Sequence, residues 1–81
     1  MSENLRKMII EELHNQKKKA GDIWKFEHYY LQFRNSLTVP EQGLFEQVIQ
    51  KLCDEGIFEI LPYGIVNNLR ITEKGANLIY S

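Results

Sequence analysis

Gln42, Gln47, Gln50 and Lys51 fall close together in the segment between Thr38 and Glu55. On a helix they occupy the side away from Phe45, Val48, Ile49 and Leu52, together with Gly43 and Glu46. A glutamine amide can bond an adenine edge through both donor and acceptor, and a lysine reaches guanine or phosphate. The pattern is therefore a candidate nucleic-acid reading surface. Asn67, Asn68, Arg70 and Lys74 add candidate phosphate contacts further along, and Lys25 and Arg34 supply two cations upstream. Plainer readings stand beside these. The Asn67-Asn68 pair suits turn chemistry, Arg70 and Glu59 suit a cross-strand charge pair, and Glu41, Glu46, Asp54 and Glu55 place negative charge on the glutamine-bearing segment.

Other chemistry finds little footing. His14 and His28 have only Glu11 and Glu27 nearby, a proximity that helices produce by chance, so no metal site is expected. Cys53 lies within an apolar periodic run and reads as a small core residue, not a nucleophile. A phosphate-binding glycine loop, a nucleophile elbow and a paired-carboxylate cleft are all missing, so the chain is not expected to be an enzyme and no cofactor is expected.

A chain of 81 residues makes one domain, and 43% hydrophobic with 26% charged residues places it among folding sequences. The net charge of −1 argues against the strongly basic face common in dedicated nucleic-acid binders. The stretch from Gly56 to Arg70 is interrupted by Glu59 and is too short for a bilayer span, and the polar start MSENLRK lacks an apolar leader, so a cytoplasmic protein is expected.

The elements that must position these residues follow from periodicity and end signals. Ser2 as N-cap and Leu5, Met8, Ile9 and Leu13 on one face predict a helix over 3–17, with Lys17, Lys18 and Lys19 at its end and Gly21 for the left-handed turn. Ile23 and Trp24 suit a short extended segment, and Phe26, Tyr29, Tyr30, Phe33 and Leu37 predict a second helix over 26–36. Thr38-Val39-Pro40-Glu41 combines an N-cap, a first-turn proline and a capping-box glutamate, so a third helix starts there and ends before Gly56. The runs 57–61 and 66–72 predict an antiparallel hairpin reversing at Pro62, Tyr63 and Gly64, and Thr72 caps a short last helix carrying Ala76, Ile79 and Tyr80.

This α+β order, most tellingly Leu52-Cys53-Asp54-Glu55-Gly56-Ile57-Phe58-Glu59 followed by Leu69-Arg70-Ile71-Thr72-Glu73-Lys74-Gly75, resembles the winged helix-turn-helix domain of small bacterial and archaeal regulators over nearly the whole chain. The resemblance implies a three-helix bundle with a β-hairpin wing and a closing helix. It further implies a DNA-binding transcriptional regulator whose third helix enters the major groove, acting as a homodimer through the first and last helices with Tyr80. The alternative is a protein-interaction module that keeps the fold without binding DNA. Such a module would dock through exposed members of the aromatic region from Trp24 to Phe33 or through the third helix.

Overall fold

The computed structural model describes residues 2–25 and 31–81. In chain order the elements are α1 (Ser2–Asn15), β1 (Ile23–Trp24), α2 (Leu31–Asn35), α3 (Val39–Asp54), β2 (Phe58–Tyr63), β3 (Val66–Ile71) and α4 (Glu73–Ile79). The fold is α+β: four helices among the described residues and one antiparallel sheet in the order β1-β3-β2. Residues 26–30 of the expected second helix, with Phe26, His28, Tyr29 and Tyr30, lie outside the described residues.

α1 and α3 bury most of the stripes that periodicity marked, but Met8 (37% exposed) and Tyr80 (46% exposed) stay at the surface and α2 buries none of its residues. Leu5, Ile9 and Leu13 of α1 share one core with Phe45, Val48, Ile49 and Leu52 of α3, together with Leu37, Ile57, Phe58, Leu69, Ile71 and Ile79. Trp24 is fully buried, with its ring 5.8 Å from that of Phe33 and 6.2 Å from that of Phe58. Trp24 thus belongs to the core and Phe33 to its edge.

Helix ends explain most boundaries. The capping box of α3 is complete: Thr38 Oγ1 accepts from the Glu41 amide at 3.4 Å, and Glu41 Oε1 accepts from the Thr38 amide at 2.9 Å. At its other end Gly56 has φ +82°, the Ile57 amide donates to the Leu52 carbonyl and the Gly56 amide to the Cys53 carbonyl, which together form a Schellman motif. The same pair of bonds ends α1, from Lys18 to Leu13 and from Lys17 to His14. Lys17 (φ 57°), not Gly21, takes the left-handed position there, so α1 closes at Asn15, earlier than the expected residue 17.

The hairpin also turns later than expected. Pro62 and Tyr63 are strand residues opposite Asn67 and Val66, and Gly64-Ile65 is the two-residue reversal, with Gly64 at φ +63°. Pro62 is tolerated because β2 is an edge strand, where a missing amide donor breaks no ladder. Thr72 then caps α4 by accepting from the Gly75 amide at 3.0 Å.

Candidate interaction surface on α3

The fixed ends and buried stripe of α3 leave Gly43, Gln47, Gln50 and Asp54 along its exposed side, with Glu46 on one flank and Lys51 on the other. Gln47 and Gln50 are exposed, and Gln50 Nε2 donates to Asp54 Oδ1 at 3.0 Å. Gln42 departs from the expected face: it is half-buried, and its Nε2 donates to the Leu37 carbonyl at 3.0 Å, which fastens α3 to the end of α2. An amide held this way is not available to a base edge.

The two arginines near this surface face carboxylates. Arg34 Nε lies 3.6 Å from Glu46 Oε1, and Arg6 Nη1 lies 2.6 Å from Glu55 Oε2. The hydrogen bond from Arg6 is the main cause holding the Glu55 carboxyl below the usual glutamate range, and Arg6, Lys74 and Lys51 add attractive charge. Lys51 and Lys74 are both exposed. Lys74 also runs beside Gly56, where an added Cβ would meet its Cδ at 3.7 Å.

On the outer face of the sheet Arg70 pairs in register with Ile23 on one side and Glu59 on the other, and its Nη2 lies 2.5 Å from Glu59 Oε1. That bond lowers the Glu59 carboxyl and raises the Arg70 guanidinium from their ordinary values. The cross-strand charge-pair reading therefore describes Arg70. Asn67 is exposed opposite Pro62, and Asn68 is half-buried opposite Leu61, both within β3 and outside the turn itself.

The eight candidates consequently do not form one positive surface. Gln47, Gln50 and Lys51 share α3, Lys74 joins the cluster around Glu55, and Arg70 with the two asparagines lies on β3. The ion pairs of Arg6 and Arg34 depend on how α1 and α2 pack beside α3, which no local pattern announces.

Among the described residues no polar or charged side chain is buried, and no group of three or more His, Cys, Asp or Glu is placed to hold a metal. Burial and the neighbouring Asp54 both raise the Cys53 thiol, which keeps it protonated and weakly nucleophilic. One surface cleft is lined by Glu3, Arg6, Lys7, Ile10 and Leu78 between α1 and α4. Among the described residues no helix is long and apolar enough to cross a membrane. No protein-family model matches the chain, and comparison with curated proteins and with solved structures finds no match.

Proposed function

We propose that this chain is a winged-helix-type interaction module that docks another protein through the exposed side of α3. The order helix, short strand, helix, capped helix, hairpin and closing helix, with β1 joined to β3, supports the winged-helix resemblance. The observation that carries the functional reading is the charge around α3. Arg34 and Arg6 face carboxylates, on Glu46 and Glu55, and on the sheet Arg70 faces Glu59. A phosphate backbone laid along α3 would meet Glu46 and Asp54 and would have to compete for those arginines. A protein partner can match a mixed surface residue by residue.

The DNA-regulator reading is the alternative that this charge pattern disfavours. Its homodimer would use α1 and α4, where the Tyr80 ring lies 5.3 Å from that of His14 and Tyr80 stays 46% exposed. A cytoplasmic location is part of both readings.

A photo-crosslinking amino acid at Gln47, with one at Glu11 as control, tests the docking reading in the native cell. The expected product is a protease-sensitive, nuclease-resistant adduct formed from position 47. A nuclease-sensitive adduct there would overturn the reading.

A further inference from the structure

We infer that Pro62 closes the open edge of the sheet to strand addition, so that a second copy of this chain does not pair with β2. The inference is independent of the docking reading and removes the sheet edge as a route of self-association.

The phase of the hairpin decides which backbone groups face outward. A two-residue reversal makes Tyr63 and Val66 a hydrogen-bonded pair, and such pairs recur at every second position along the ladder. The Thr72 amide donates to the Ile57 carbonyl at 3.2 Å, in the same phase. Glu59, Leu61 and Tyr63 therefore bond β3, whereas Phe58, Ile60 and Pro62 turn their main-chain groups toward the outer edge. Among the described residues no backbone hydrogen bond from another element reaches that side.

An edge of this composition needs a guard. Ile57 to Leu61 is a run of strand-forming residues whose single charge is Glu59, and Ile60 stays 39% exposed, a combination that invites a further strand. The opposite edge is protected differently: β1 is only two residues long, and Lys18 Nζ donates to the Ile23 carbonyl at 3.1 Å. Turn chemistry does not call for proline at 62, because Gly64-Ile65 makes the reversal. What proline supplies is a missing donor at an outward position.

The geometry of pairing shows why one proline is enough. In a symmetric antiparallel contact centred on Ile60, Pro62 of one copy stands opposite Phe58 of the other, and Glu59 falls opposite Leu61 and clear of its own copy. Charge therefore does not forbid the contact. The Phe58 carbonyl, on a residue only 3% exposed, would be sealed against a ring that has no amide hydrogen, and symmetry repeats that loss.

Pro62→Val and Pro62→Thr restore the donor at an exposed strand position outside the core. Sedimentation of the intact 81-residue chain is followed with rising concentration, and emission from the buried Trp24 checks that each variant is folded. The weight-average mass of either variant should rise about twofold above that of the parent, the change expected for a symmetric pair. Adding Ile60→Lys should return it to the parent value. Amide exchange gives a second readout that needs no variant: in the parent the Ile60 amide should exchange fast while those of Glu59 and Leu61 are protected. Both proline variants keeping the parent mass would overturn the inference. A slow Ile60 amide in the parent would do the same, because the edge would then be paired despite the proline.

Discussion

Gly75 rests directly against the backbone of Ile57. A Cβ at Gly75 would overlap the Ile57 carbonyl oxygen and come within 3.3 Å of Ile57 Cγ2, while Thr72, three residues earlier, receives the Gly75 amide and donates to that same carbonyl. The first turn of α4 is thus docked on the strand entry that follows α3. The Thr-Glu-Lys-Gly sequence is explained by packing as well as by capping.

Gly75→Ala should accordingly destabilise the fold by about 2–3 kcal/mol through overpacking against rigid main chain. Urea denaturation would measure this as a lower midpoint. A variant as stable as the parent would mean that α4 does not sit on Ile57.

Lys17→Gly should act in the opposite direction. Lys17 holds a left-handed backbone at φ 57° to complete the C-terminal motif of α1, a conformation that is costly for any side chain. Glycine removes that cost, partly offset by its greater freedom when unfolded, and a gain of about 0.5–1 kcal/mol is expected. An unchanged or lower midpoint would show that the lysine makes a compensating contact.

Thr38→Ala removes the acceptor for the Glu41 amide and should cost about 1 kcal/mol, read from the same denaturation curves. Because the cap fixes the start of α3, amide exchange should quicken first at Glu41 and Gln42, whose amides bond Thr38. Unaltered exchange there would place the helix start under other control.

Acid sensitivity should come from Glu55 and Glu59, whose carboxyls are lowered chiefly by hydrogen bonds from Arg6 and Arg70. A carboxylate with a lowered folded-state value contributes stability above its unfolded value, and that contribution is lost as pH falls through the folded one. Stability should therefore hold down to the ordinary glutamate range, about pH 4.3, and decline below it. Both pairs are solvent-exposed, so salt should weaken the effect. The double variant Glu55→Gln with Glu59→Gln should have a flatter acid limb in pH-dependent unfolding; an identical limb would assign the acid response to other groups.

The parts of this architecture that local chemistry dictates were legible in the sequence. Thr38 to Glu41 announced the start of α3, Gly56 its end, and Phe45, Val48, Ile49 and Leu52 its buried stripe. Tertiary choices were less visible. Nothing local marks Lys17 as the left-handed residue, since intrinsic preference favours Gly21 for that role. Pro62 signals a turn by composition, yet an edge strand accommodates it and hands the reversal to Gly64-Ile65. Of the candidate surface, the exposure of Gln47, Gln50 and Lys51 followed from periodicity. Gln42 sits at the border of the face, where only the position of the Leu37 carbonyl decides its direction.

The most direct test of whether α3 is a protein-facing surface is fluorescence anisotropy of duplex DNA titrated with the intact chain from 50 to 200 mM salt. No association tighter than the nonspecific range, about 10⁻⁴ to 10⁻⁶ M, is expected. Tight binding whose log affinity falls by roughly 3.6 per decade of salt, the slope expected for about four phosphate contacts, would contradict it.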